Sequence, residues 1–170
     1  MSRRAAIFAT TMFGVSAAVL PLTTDPSPRL IWNASASVPI GLYVVKPANQ
    51  LQLNNLVVVR PPEDAAAFLA EGGYLPRGVP ILKHILALPG QTVCRFGSAI
   101  SVDAVAVGDA RDRDSHGRAL PVWQGCHVLA EGEVFLMNRS ADSFDGRYFG
   151  PLPACSIVGR AKPLWTSREE

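Results

Sequence analysis

Residues 79–90 read VPILKHILALPG, an apolar run that carries a lysine and a histidine and closes on Pro-Gly. Such a run, ended by a turn pair, reads as a strand buried on one face or both. Lys83 is its informative residue. The chain has three lysines, Lys46, Lys83 and Lys162, against thirteen arginines. Lys46 and Lys162 each precede a proline, whereas Lys83 follows Ile81 and Leu82 and is trailed by Ile85 and Leu86. An amine in those surroundings is partly desolvated, which lowers its pKa and provides a neutral base. The competing reading is a lysine that lays its stem on apolar surface and keeps its head in water.

Outward from this run the chain is punctuated for β structure. GLYVVKP (41–47) and NLVVVRPP (55–62) read as strands stopped by proline. TVCRFG (92–97) and AISVDAVAV (99–107) read as a strand pair, HVLAEGEVFLMN (127–138) as strand, turn, strand, and SIVGRAKPLW (156–165) as a last strand. PEDAAAFLAEGG opens on proline and acidic residues and closes on glycines, which predicts a short helix near 62–72. GDARDRDSHGRALP (108–121) reads as a polar surface loop. With 14 glycines and 14 prolines in 170 residues, the expectation is a mainly β, compact antiparallel domain.

From Ala5 to Leu22 there is no charge, and Arg3 and Arg4 precede that stretch. Eighteen apolar residues are at the short end for a membrane helix, and the arginines hold the N-terminus in the cytoplasm. This predicts a cytoplasmic stub and anchor over 1–24 and an extracytoplasmic domain over 25–170; a cleavable secretory leader is the alternative. Arg3 and Arg4 account for the whole net charge of +2. The body is therefore neutral, without the basic stripe that a nucleic acid needs. Cys94, Cys126 and Cys155 fit an oxidising compartment, with one disulfide and one thiol. Cys94 and Cys126 bracket the hairpin and polar loop and are expected to pair; Cys155, at a strand start, reads as a small buried hydrophobe. No cysteine and histidine fall at metal spacing, and no cofactor or metal is expected.

About ten residues beyond the apolar segment lies NASASVPIGLY (33–43), with Ser35 and Ser37 in a small-residue turn. A serine nucleophile needs a base. His84, His116 and His127 are present, but there is no G-x-S-x-G elbow to support a histidine-based hydrolase. Lys83 is the other candidate.

Four stretches in this order resemble the membrane-anchored serine/lysine signal peptidases, and among them the TraF-type peptidases of conjugative transfer. They are the apolar segment, SASVPIGLY (35–43), the pair NLVVVRPPED and ILKHILALPGQTV, and NRSADSFDGRYFGPLP (138–153). The resemblance implies Ser37 as nucleophile and Lys83 as general base, with Ser35 adding a hydroxyl to the oxyanion hole. It implies Ser143 as the group that orients the lysine and an Asp145–Arg147 pair that braces the site, Asp145 with a catalytic or a purely structural part. One residue, Val38, separates Ser37 from Pro39, as in the TraF type. Gly146 stands where the family commonly has serine, which is expected to loosen that turn.

The resemblance also implies a signal-peptidase-like domain in the periplasm, held by one helix in the inner membrane. Its substrate would be a pilin precursor or another secreted-protein precursor, cleaved for pilus assembly with or without cyclisation of the pilin, alongside other conjugation-system proteins. Strands such as 41–45 and 79–86 are expected to edge a groove that takes substrate as an added strand. A general leader peptidase and a non-catalytic anchored assembly protein are the alternatives.

Overall fold

The computed structural model describes residues 3–23 and 28–167. Helix α1 (Arg3–Thr23) occupies the segment read as the anchor. Its Thr10 and Thr11 hydroxyls donate back to the carbonyls of Ala6 and Ile7, so their polarity is met inside the helix. Among the described residues no helix is long and apolar enough to cross a membrane. The expected boundary between residues 24 and 25 lies outside the described residues.

The remainder is antiparallel β structure in two sheets. The larger is built from β1 (Leu30–Asn33), β2 (Gly41–Lys46), β3 (Leu56–Val59), β4 (Ile81–Ala87), β9 (Glu133–Leu136), β10 (Leu152–Pro153) and β11 (Ile157–Thr166). Their order is β1-β2-β11-β3-β4-β9-β10. The smaller holds β5 (Thr92–Phe96), β6 (Ala99–Val102), β7 (Val105–Asp109) and β8 (Gly125–Val128), in the order β7-β6-β5-β8. Helix α2 (Glu63–Glu71) falls where predicted, opens after Pro62 and carries Glu63 and Asp64 in its first turn, where acidic side chains favour the helix dipole.

β4 is the pivot of the fold. It lies between β3 and β9, and its apolar side chains enter three packed clusters: Ile85 beside Val57, Val134 and Leu136; Ala87 beside Val93, Ile100 and Phe135; Leu82 beside Val38, Tyr43 and Val58. A strand covered in this way must bury whatever polar group it carries, and it carries Lys83.

Three differences from expectation have physical causes. The stretch 99–107 is itself a hairpin, β6–β7, turning at Asp103 and Ala104 with φ of 48° and 65°. That turn is held by Asp103, whose carboxylate accepts from the Thr92 backbone N–H and the Gln91 side-chain amide, contacts from outside the hairpin. The strands of 127–138 do not pair with each other, because β8 joins β5 in the small sheet while β9 joins β4 in the large one. Cys155 is exposed in a short turn at 154–156, not buried.

Gly146 also corrects the expectation. A Cβ there would stand 2.7 Å from the Leu136 carbonyl oxygen and 2.7 Å from the Phe135 ring, so the glycine permits a close approach and does not loosen the turn. Gly41 does the same where β2 meets β11: its φ is 151°, and a Cβ would lie 2.2 Å from the Trp165 carbonyl oxygen.

Cys94 and Cys126 form the expected disulfide and are direct cross-strand partners on β5 and β8. Closing the 32-residue separation between them should stabilise the fold by roughly 3–4 kcal/mol in the chain-entropy account. The Cys94→Ser/Cys126→Ser double variant is therefore expected to unfold at correspondingly lower denaturant. A loss below about 1 kcal/mol would show that the cross-strand pairing alone suffices.

Candidate active site

β1 ends at Asn33 and β2 begins at Gly41, and the turn between them carries Ser35 and Ser37. Asn33 is buried at the base of that turn. Its Nδ2 donates to the carbonyls of Ser35 (2.8 Å), Val38 (3.0 Å) and Pro39 (3.1 Å). Its Oδ1 accepts from the Ser35 backbone N–H and hydroxyl, at 3.2 and 3.0 Å. Tyr43 Oη donates to the Pro39 carbonyl from below. Ser35 Oγ and Ser37 Oγ lie 3.1 Å apart.

Lys83 is 4% exposed, which decides against the snorkelling reading. Its Nζ donates to Ser143 Oγ at 2.8 Å, across 60 residues of sequence. Burial pushes the Lys83 ammonium down to about 8, against a partial pull upward from Asp145 and a further push downward from Arg147. At neutral pH a usable fraction of this amine is therefore unprotonated.

Asn138 sets the position of Lys83. It clips β4 on either side of the lysine: Nδ2 donates to the Leu82 carbonyl, and Oδ1 accepts from the His84 backbone N–H, each at 3.0 Å. The same Oδ1 lies 3.0 Å from His84 Nδ1, which must carry its proton there because the amide's orientation is set by its other partners. Behind this clip, Asp145 is fully buried and accepts from the Asn138 N–H. Arg147 donates from Nε and Nη2 to the two Asp145 oxygens, both at 2.9 Å, and from Nη2 to the carbonyls of Asn138 and Ser140. The pair thus folds the 138–147 loop so that Ser143 meets Lys83.

Ser35, Ser37, Lys83 and Ser143 all line one cleft of about 600 Å³, whose apolar walls include Ile31, Leu69, Leu75, Val79 and Phe144. Asp145 and Arg147 do not line it. Ser37 hydrogen-bonds Ser35 and Lys83 hydrogen-bonds Ser143; the two do not hydrogen-bond each other. The cleft is edged by residues 31–37 and 79–83, so β1 and the start of β4 form its rims and residues 41–45 do not. No histidine lines it: His84 is held by Asn138, and His127 pairs with Glu133 on the surface. Cys94 and Cys126 lie in the other sheet, and no cluster among the described residues is built to hold a metal ion.

Sequence reasoning assigned no part to Asn33 and Asn138. Each is a buried amide at the end of an apolar strand run, LIWN and EVFLMN, just before a loop of small residues. That placement is a signal, since a buried amide must spend its hydrogen bonds on the loop that follows.

Residues 2–165 match the family model described as signal peptidase, peptidase S26. The chain belongs to this family. Among curated relatives, this signal-peptidase-family chain is 38% identical over 146 residues to the conjugal transfer protein TraF of Agrobacterium fabrum, covering 79% of the chain and 81% of that protein. It is 33% identical over 144 residues to the probable conjugal transfer protein TraF of Sinorhizobium fredii, covering 79% and 76%. It is 31% identical over 145 residues to a plasmid transfer protein TraF of Escherichia coli, covering 79% and 81%. Among solved structures, a signal peptidase I from Enterococcus faecalis aligns at a TM-score of 0.39 and 17% identity, covering 66% of this chain and 97% of that one. That last likeness is too loose to carry weight.

Proposed function

We propose that this member of the signal peptidase family is a serine endopeptidase in which Ser37 is the nucleophile and Lys83 the general base. The observation that carries the reading is the buried Lys83 amine, oriented by Ser143, in the same cleft as Ser37. A neutral amine has two N–H groups and one lone pair. Donating one N–H to Ser143 leaves the lone pair free to turn toward the Ser37 hydroxyl.

In the first step Ser37 Oγ attacks the scissile carbonyl carbon while its proton passes to Lys83 Nζ. The carbonyl oxygen becomes an oxyanion, to which the Ser37 N–H and the Ser35 hydroxyl donate; such donors contribute a few kcal/mol each. Lys83 then hands its proton to the leaving amine as the acyl-enzyme forms. Water, or the amine of a cyclising chain end, releases the product. An extended substrate lies along the cleft between β1 and the start of β4, its apolar side chains against Leu69, Leu75 and Phe144.

The conjugal-transfer naming of the relatives supports a precursor used in conjugal transfer as the substrate, and the resemblance to the TraF-type peptidases makes a pilin precursor the first candidate. We place the domain in the periplasm, held at the inner membrane by the N-terminal apolar segment, although α1 by itself is not long and apolar enough to cross a membrane. The charge asymmetry of the N-terminus and the Cys94–Cys126 disulfide support this, since disulfides persist in oxidising compartments.

Ser37→Ala is expected to abolish cleavage of the precursor by the purified, detergent-solubilised protein while leaving its circular dichroism unchanged. Activity within tenfold of the parent would end the peptidase reading and favour an assembly role. The pH profile is a second test. Only the unprotonated lysine is active, so kcat/KM should climb about fifty-fold from pH 6 to pH 8 and level off above about 9. A profile still rising beyond pH 10 would mean an ordinary, solvated lysine.

A further inference from the structure

We infer that Asn33 is a positioning residue for the nucleophile turn: it fixes both where Ser37 stands and which way the serine hydroxyls point before substrate arrives. The inference rests on the Ser37 and Lys83 reading and adds a residue to it.

The orientation of the Asn33 amide is set by its partners. Three carbonyl oxygens, those of Ser35, Val38 and Pro39, demand the NH2 end, and the Ser35 backbone N–H demands the oxygen. With Oδ1 facing Ser35, the hydroxyl contact at 3.0 Å has one possible direction: Ser35 Oγ–H donates to Asn33. The Ser35 hydroxyl has a single proton, now spent. The 3.1 Å contact between the two serines must then carry the Ser37 proton, donated to Ser35 Oγ. The resting chain therefore runs Ser37 to Ser35 to Asn33 and does not include Lys83, whose own N–H is engaged with Ser143.

This arrangement does two things. It holds Ser37 Oγ in one rotamer by a bond to a neighbour that is itself held, and it keeps Ser35 Oγ within reach of the nucleophile. When a carbonyl enters the cleft and gains negative charge, it competes for the Ser35 proton better than the neutral Asn33 amide does, because hydrogen bonds to charged acceptors are the stronger. The Ser37 proton passes to Lys83 in that same attack, so the Ser35 hydroxyl, released from the Ser37 donor, is free to turn from Asn33 to the oxyanion. Asn33 also pins the carbonyls of residues 35, 38 and 39, holding the peptide units on either side of Ser37, whose N–H serves the oxyanion. Asn33 lines the cleft, but its amide is spent on the turn and not on the reacting atoms, so its effect falls chiefly on the chemical step.

The experiment is steady-state kinetics of Asn33→Ala and Asn33→Ser on the precursor peptide, beside parent and Ser37→Ala proteins, with thermal melts of each. Serine can still accept from the Ser35 N–H but cannot span to the three carbonyls. The expected order in kcat is parent, then Asn33→Ser down about tenfold, then Asn33→Ala down about a hundredfold, with KM within threefold and the pH midpoint unmoved because Lys83 is untouched. A purely structural asparagine would lower the melting temperature and leave the kcat of the folded fraction at the parent value, and that result overturns the inference. If Asn33→Ala does not fold, the Asn33→Ser kcat decides on the same terms. Parent-like kcat in Asn33→Ser and Asn33→Ala beside a dead Ser37→Ala removes this inference alone; an active Ser37→Ala removes both readings.

Discussion

Lys83→Met is expected to lower precursor cleavage by at least about a thousandfold and, in the same protein, to raise stability. Loss of a general base costs on the order of a hundred- to ten-thousandfold, and in the proposed mechanism the base also opens the reaction by freeing the nucleophile. The gain in stability follows from burial. Holding a lysine at about 8, against its usual 10.5, means that the unfolded chain binds the proton more tightly than the folded one. Below pH 8 both states are protonated and the full cost is present, about 3 kcal/mol by linkage; it is relieved as pH rises from about 8 to 10.5. Methionine fills a similar volume without a charge and forfeits the bond to Ser143, worth about 1 kcal/mol. The net gain should be about 2 kcal/mol at pH 7, read as a higher denaturation midpoint, and should shrink as pH approaches 10.5. Burial also explains why arginine is the blunter replacement at this position: a bulkier, permanent cation would be forced in beside Arg147. A Lys83→Met protein that still cleaves within tenfold of the parent would remove Lys83 from the mechanism.

Asp145→Ala is expected to cost about 3–5 kcal/mol of stability, the largest single effect on the fold. Asp145 is fully buried and Arg147 is 2% exposed, so removing the carboxylate strands a buried guanidinium without its ion-pair partner. The carboxylate also accepts from the Asn138 and Arg147 N–H groups, capping the short helix α3 (Gly146–Phe149) and tying it to the end of β9. Against a typical total of 5–15 kcal/mol, the variant should melt many degrees lower. The same experiment separates a bracing from a catalytic Asp145. Its charge raises the Lys83 pKa, so its loss should move the pH midpoint of cleavage down, with activity per folded molecule retained. A folded Asp145→Ala protein that is inactive at every pH would give the aspartate a direct part in the reaction.

The strands at 41–46, 56–59, 81–87 and 157–166 and the helix at 63–71 follow from local chemistry: apolar runs of strand length, prolines that stop them, and acidic residues at a helix start. The Ser35–Ser37 turn is local too, and so is the distinctiveness of Lys83 among three lysines. The Cys94–Cys126 pairing was within reach because the two bracket one hairpin and its polar loop.

Tertiary structure alone decided the rest. Leu30–Asn33 became a strand by pairing with β2, and Leu152–Pro153 by pairing with β9; neither short segment carries a pattern strong enough to announce itself. The hairpin at 99–109 depends on a carboxylate held by Gln91 and Thr92. Whether Gly146 loosens a turn or admits a close approach is settled by the Phe135 ring and the Leu136 carbonyl ten and more residues away. Whether Lys83 snorkels or is desolvated depends on what covers β4, and that cover is β3, β9 and the 138–147 loop, brought in from both sides. Composition and period determine which residues seek burial. They do not determine which buried polar groups meet, because hydrogen bonds such as Lys83–Ser143 and Asn138–Leu82 join residues more than fifty positions apart, and only the folded chain brings them within reach.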